Sequence, residues 1–250
     1  MFKWLAQFFH DDAEKEFFDN PISENVNDWP AAWKRISYKE YVRMPTIPLE
    51  SVSLLTNPLE EALHKRHSRR RFQKEPVDAQ KLSTLLYYSA GLKDSKKNLW
   101  GDSSRFYPSP GALYALEVYI AIFSETRNIA PGLYHYNVKN HALEFLAGKE
   151  EMRRVQNFIY PSWAQNAYAA IIMTAVWTRI LQKYHNKGYS MALMEAGHLS
   201  QNIQLVAATL DLAACPIAAF NSKGIEKMLD LTTRNDESVL LVTMLGNPKQ

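Results

Sequence analysis

Three features of this 250-residue sequence predict an α+β fold, with one central mixed sheet and helices on both faces. Helical and strand periodicities alternate irregularly, a β-hairpin pattern sits in the middle of them, and the 46% apolar content suffices for one substantial core. The regular strand–helix alternation of a doubly wound parallel sheet is absent.

Residues 1–50 read as an N-terminal helix followed by an extended arm. Phe2, Leu5 and Phe9, and Trp4 and Phe8, recur at helical spacing, and Pro21, Pro30, Pro45 and Pro48 then interrupt any regular element. Such an arm packs over the main body or over a second subunit. A single domain over 51–250 follows. "TNPLEEALHKRHS" predicts a helix with Asn57 as N-cap, Pro58 at the first helical position, Glu60 closing a capping box and an end near His67 or Ser68. "EPVDAQKLSTLLYYSAG" predicts a second helix, capped by Asp78, stapled by Val77 and Leu82, and stopped by Gly91.

A polar loop over 93–104 leads into a β-rich run, "GALYALEVYIAIF", and "PGLYHYNVKNHALEFLA" reads as a hairpin turning near Val138 to Asn140. A helix around 150–159, an apolar strand over 169–177 and a long helix over 190–211 come next. The final strand, within 237–248, is closed by Gly246 and Pro248. The long helix is apolar on more than one stripe, which places it in a core or a dimer interface.

Composition excludes several functions. A single cysteine, Cys215, rules out an intrachain disulfide and suits a reducing, cytoplasmic setting. The first residues lack the pattern of a signal peptide, and the longest apolar run, 167–177, is too short to span a bilayer. The net charge of +3 is spread along the chain, with no broad basic face carrying aromatic platforms, so nucleic acid is not the expected partner. Nine glycines give no dinucleotide fingerprint and no P-loop. The seven histidines show no metal-ligand spacing, and no nucleophile elbow is present.

The one strong local excess is "HKRHSRRRF", in which Lys65, Arg66, Arg69, Arg70 and Arg71 crowd ahead of Phe72. Guanidinium groups bind phosphate oxygens bidentately, so a tightly held anion is the natural occupant, whereas Lys65 and Arg66 also suit the negative end of a helix. Arg66-x-Ser68-x-Arg70-x-Phe72 resembles the R-x-S-x-[RK]-x-F signature of the nitroreductase-like flavoproteins. The segments "RFYPSPGALYALEVYI", "PGLYHYN", "KYHNKGYSMALMEAGHLSQNIQLVAATLDL" and "LGNP" follow in that family's order. Two of them, with the preface "YKEYVRMPTIPL", are similar to the SagB-type branch, the azoline dehydrogenases of thiazole/oxazole-modified peptide pathways. The resemblance covers residues 36–248.

The resemblance implies a nitroreductase-like domain with FMN at a homodimer interface. It assigns the FMN phosphate to Arg66, Ser68 and Arg70 and counts His67 among the cofactor-binding residues, leaving Arg69 and Arg71 for solvent or a partner. It sets Pro108, Ser109, Gly111 and Leu113 on the turn against the flavin ring, although by itself "PSPG" is only a turn. The branch uses an adjacent Lys-Tyr pair, and Lys183 and Tyr184 stand at the matching place. The implied reaction takes a Cα proton from a thiazoline or oxazoline while a hydride leaves Cβ for the flavin. Lys183 would be the base, with its pKa depressed by burial or by nearby arginine, and Tyr184 would orient or relay. Without the resemblance, the pair is a surface lysine beside a packing tyrosine. Glu195, His198, Asn202 and Thr209 form a polar stripe on the long helix, read as an interface face rather than a set of catalysts.

Two departures from the branch stand out. Pro110 replaces an alanine and stiffens the turn, and Asp211 to Pro216 replaces a Gly-Leu-Gly, where bulkier residues would either narrow the pocket or shift which backbone N–H faces the flavin N5. The implied partners are a modified peptide substrate, a cyclodehydratase and a second copy of the chain. The competing readings are an NAD(P)H-dependent reductase of nitroaromatics or quinones, and an idle scaffold docking through its aromatic arm.

Overall fold

In a computed structural model describing residues 11–16, 19, 21–23, 25–97, 103–231 and 236–249, the β-branched and aromatic runs assemble into one seven-stranded sheet. Its strands are β1 (Thr46–Pro48), β4 (Leu116–Ile122), β5 (Gly132–Asn137), β6 (Ala142–Ala147), β7 (Ala169–Val176), β8 (Ala213–Ile217) and β9 (Glu237–Gly246). Their spatial order is β1-β6-β5-β4-β7-β9-β8. Every pairing within it is antiparallel, which corrects the expectation of a mixed sheet. Both edge strands contain a proline, Pro48 in β1 and Pro216 in β8.

The central strands are buried on both faces, and their alternation sorts residues between two cores. Val118, Ile120 and Ile122 of β4 and Ile171 and Met173 of β7 point into one core. That core is covered by α2 (Ala79–Ala90) and α5 (Lys187–Thr209), through Leu82, Leu85, Leu86, Ala196, Leu199 and Ile203. Tyr119, Ala121 and Ile172 point into the other core, covered by α3 (Lys149–Asn157) and α6 (Ser222–Met228) through Met152, Val155 and Ile225. Helices on both faces of one sheet are thus observed.

The second predicted helix is correct in detail. Asp78 Oδ1 accepts from the Gln80 and Lys81 amides at 3.0 and 3.1 Å, Val77 and Leu82 are fully buried in the same core, and Gly91 follows as C-cap. The first is shorter than expected. α1 runs Leu59–Lys65 with Pro58, not Asn57, at its N-cap. No side-chain cap is made, and Asn57 Nδ2 donates instead to Glu61. The helix stops at Lys65 because Arg66 is already extended.

The hairpin, the helix near 150 and the strand near 170 are found where expected. The polar loop over 93–104 is instead an antiparallel ribbon of β2 (Leu92–Lys97) and β3 (Ser103–Arg105). Among the other elements not foreseen are β8, α6 and α4 (Trp177–Tyr184), the last following β7 without a break. α5 begins three residues earlier than predicted. The helix expected over the first ten residues lies outside the described ones. The described part of the arm packs on the main body, with Ile36 buried in the first core and β1 joining the sheet through β6.

Candidate functional site

Two groups of polar residues meet α5 on opposite faces, at positions 195 and 204. Nine residues of helix separate them by about 14 Å along the axis. Among the described residues no hydrogen bond or ion pair joins the two groups.

The first group is the arginine segment. Arg66 caps α1 and its Nη1 donates to Gln204 Oε1 at 3.3 Å. The chain then runs extended between β8 and the residues after β9. The Arg69 amide donates to Ala214 O at 3.3 Å, the Gln73 amide to Asn247 O at 2.9 Å, and the Lys249 amide to Arg71 O at 3.1 Å. Phe72 anchors it, 6.1 Å from the Trp163 ring and against Gly246, where a Cβ would meet Phe72 at 2.9 Å. The consequence is a cleft of about 350 Å³ lined by His67, Ser68, Arg69, Arg70, Arg71 and Lys249. Lys65 is neutralised by Glu61 at 2.7 Å. Among the described residues no carboxylate forms an ion pair with Arg66, Arg69, Arg70, Arg71 or Lys249. Uncompensated guanidinium and ammonium groups beside a serine hydroxyl are the donor set a phosphate needs.

Ser68 and Arg70 also reach the buried Cys215 thiol, which burial nonetheless raises above its ordinary pKa. Lys249 was not anticipated. It arrives by pairing between residues distant in sequence, and no local pattern announces that.

The second group surrounds the turn 108–114. Gly111, Ala112 and Tyr114 have φ of 60°, 54° and 48°, a left-handed conformation that is strained for the two non-glycine residues. The turn is held from below. Ser109 Oγ accepts from the Tyr114 amide at 2.9 Å and donates to Glu195 Oε2 at 2.8 Å. Pro108 is exposed at its rim and Leu113 is buried beneath it. Gly111 lies against the Lys-Tyr pair, since a Cβ there would stand 2.7 Å from Tyr184 Oη and 3.1 Å from Lys183 Nζ. The structure therefore brings Ser109, Gly111, Lys183 and Tyr184 together, and sets Arg66, Ser68 and Arg70 apart from them within one chain.

Lys183 is not a surface residue. It stands one residue before the end of α4 at 1% exposure, its Nζ has no hydrogen-bond partner among the described residues, and burial lowers its pKa. This is the direction a neutral amine base requires, and burial rather than arginine is the cause. The polar stripe divides. Glu195 points inward and is fully buried, His198 is exposed, and the Thr209 hydroxyl is spent on Val206 O. Burial pushes the Glu195 carboxyl up to about 7, against the opposing pull of Ser109, Arg105 and the Leu116 and Ala115 amides; its Oε1 has no partner.

A buried charge network supports the turn. Glu117 meets Arg179 at 2.5 Å and His135 Nε2 at 3.1 Å, and His135 Nδ1 meets Glu144 at 2.7 Å. Arg179 Nη1 donates to Tyr114 O at 3.1 Å, tying the network to the end of the turn. Burial alone would raise Glu117, yet Arg179, His135 and Arg105 hold it at about 2. Sequence reading passed over these residues because each stands singly within an apolar run.

With this geometry the chain resembles several known proteins. It is 26% identical over 174 residues to the nitroreductase-like protein MJ1384 of Methanocaldococcus jannaschii, a match covering 69% of this chain and 84% of that one. It is 32% identical over 152 residues to the microcin B17-processing protein McbC of Escherichia coli, covering 59% of this chain and 56% of McbC, so the match spans about half of that relative. The solved structure of the E. coli microcin synthetase McbBCD complex with truncated pro-MccB17 bound shares the fold. There the TM-score is 0.62 at 24% identity, over 98% of this chain and 92% of that one. A family model described as the nitroreductase family matches residues 63–247, almost three quarters of the sequence, and the chain belongs to that family.

Proposed function

We propose that this protein is an FMN-dependent dehydrogenase that converts thiazoline or oxazoline rings of a ribosomal peptide into thiazoles or oxazoles. The observation that carries the reading is Lys183, a buried amine without a hydrogen-bond partner among the described residues, set beside Tyr184 against the strained glycine turn. The similarity to McbC, a peptide-processing protein, supports the substrate class.

The residues present fit the cofactor. Ser68, Arg70 and Lys249 would hold its phosphate in the uncompensated cleft with Arg66 beside it on Gln204, and the small, fixed backbone of Ser109 to Gly111 would accept a flat ring at close approach. When bound, FMN supplies the acceptor for the two electrons and the hydrogen that leave the substrate ring.

The chain's own residues do the rest. Lys183 Nζ, whose pKa burial lowers, takes the Cα proton in its neutral form, and Tyr184 orients it. Glu195 holds the turn through Ser109. α5 and α1 present exposed Leu193 and Met194, at 43% and 53%, and Leu59 and Leu63, an apolar face suited to a second copy of the chain. Assembly with a cyclodehydratase that makes the azoline completes the proposal. No helix among the described residues is long and apolar enough to cross a membrane.

The similarity to MJ1384 favours a second reading, an NAD(P)H-dependent reductase. Visible spectra decide between them. The dehydrogenase reading expects a yellow protein releasing FMN, slow bleaching by NAD(P)H and aromatisation of an azoline peptide. Lys183→Ala is expected to cut that aromatisation by about 10²–10⁴-fold with the spectrum kept. Fast bleaching by NAD(P)H with no action on the azoline favours the reductase.

A further inference from the structure

Lys183 is closed off by the arm rather than by its own helix. The Trp29 ring centroid lies 3.3 Å from Lys183 Nζ and the Trp33 centroid 5.7 Å, the two indoles meeting edge-on at 6.3 Å. The pose is specifically held. Asn25 caps the turn Val26–Asp28, Trp29 Nε1 donates to Ser23 O at 2.7 Å, and Ser23 Oγ donates to Asp28 at 3.0 Å. Trp33 Nε1 donates to Gln182 O at 3.2 Å, and Glu14 pairs with Lys187 at 2.7 Å.

These attachments are all at the surface. Trp29 and Trp33 are half-buried, residues 27, 28 and 30–32 are exposed, and neither indole belongs to the two cores. A segment so fastened opens at much less cost than the strands beneath it. A base at 1% exposure, however, cannot meet a substrate until something moves.

We propose that Trp29 is the gate of Lys183: its indole face covers Nζ in the free protein and withdraws so that a flat substrate ring can take the same position. The indole π-face attracts Nζ whenever it is protonated, and the planar azoline would replace the indole, a clause that rests on the dehydrogenase reading. Nearby charges are otherwise committed. Arg179, one turn earlier on α4, pairs with Glu117; Lys187 pairs with Glu14; Lys34 donates to Asn27 O; Glu195 reaches the turn through Ser109. Tyr184, whose phenol burial raises, also faces Nζ, 5.3 Å from its ring centroid.

The test is amine acetylation of the full-length protein, with each lysine read by peptide mass spectrometry over a range of pH. Lys39, ion-paired with Glu237, serves as the reference for a folded chain. In the wild type Lys183 is expected to react far more slowly than exposed lysines. Trp29→Ala is expected to accelerate it roughly tenfold or more and to move the midpoint of its pH profile up as water reaches Nζ, whereas Trp29→Phe keeps a ring face and restores much of the protection. Trp33→Phe, which removes only the bond to Gln182, provides a second variant and is expected to accelerate Lys183 as well. Fast reaction of Lys183 in the wild type overturns the gate, as does an unchanged rate in Trp29→Ala or Trp33→Phe with Lys39 constant. A short peptide carrying one thiazoline is expected to slow the labelling in Trp29→Ala. Acceleration without that protection keeps the gate and removes the azoline reading.

Discussion

Replacing Glu195 by glutamine isolates the energetic effect of one buried carboxyl. The side chain is fully buried, bonds Ser109 through Oε2 at 2.8 Å, and leaves Oε1 without a partner. Burial outweighs its favourable contacts and lifts its pKa from 4.5 to about 7, so the folded chain binds this proton more tightly than the unfolded chain does. The stabilisation from that proton is complete below pH 4.5 and is lost as pH rises through about 7. At 1.36 kcal/mol for each pH unit, the gap between the two values corresponds to about 3 kcal/mol. Glutamine preserves the shape and cannot titrate. Urea unfolding of both proteins at about pH 5 and about pH 8 reads the difference directly. The wild type is expected to lose about 3 kcal/mol relative to Glu195→Gln between these conditions. A difference that stays constant across the range would refute the claim that Glu195 is held neutral by burial.

Three further outcomes are expected. Gly111→Ala places a Cβ at φ 60°, 2.7 Å from Tyr184 Oη, so it is expected to lower stability by about 1–2 kcal/mol in thermal unfolding and to reduce aromatisation further by displacing Lys183. Glu117→Gln strips the carboxylate from buried Arg179 and His135 and is expected to cost about 3–5 kcal/mol in urea. In the wild type the contribution of Glu117 is full above pH 4.5 and disappears as pH falls through about 2, a loss the variant does not show. Arg70→Ala is expected to weaken FMN binding about tenfold or more and to flatten its salt dependence, measured by quenching of flavin fluorescence. Arg71→Ala, at an exposed position, is expected to stay within about twofold.

Much of the fold could be read where local chemistry and tertiary packing agree. Asp78 caps its helix as its side chain predicts, and the apolar runs of β4 and β7 leave no alternative to buried strands. Reading failed where packing overrides propensity. Pro216 argues against a strand, yet β8 pairs with β9 because an edge strand tolerates a missing amide. The polar 92–105 segment lacks apolar alternation and still pairs as a ribbon. α4 was masked by the apolar run of β7 continuing into it. At the site, Lys183 and Tyr184 were legible as a pair, but a lysine among Gln182, His185 and Asn186 gives no sign of burial. That burial depends on Trp29, more than 150 residues away. Glu195 was visible as polar and misplaced as an interface residue, since its periodicity could not tell which face of an apolar helix turns inward.

The proline at each margin of the seven-stranded sheet bears on how copies of this protein meet. Pro48 and Pro216 each deny an incoming strand an amide on the outer edge of β1 or β8, so the sheet does not template its own extension. Crowded molecules are steered away from edge-to-edge aggregation, and orderly assembly is left to side chains projecting from helices.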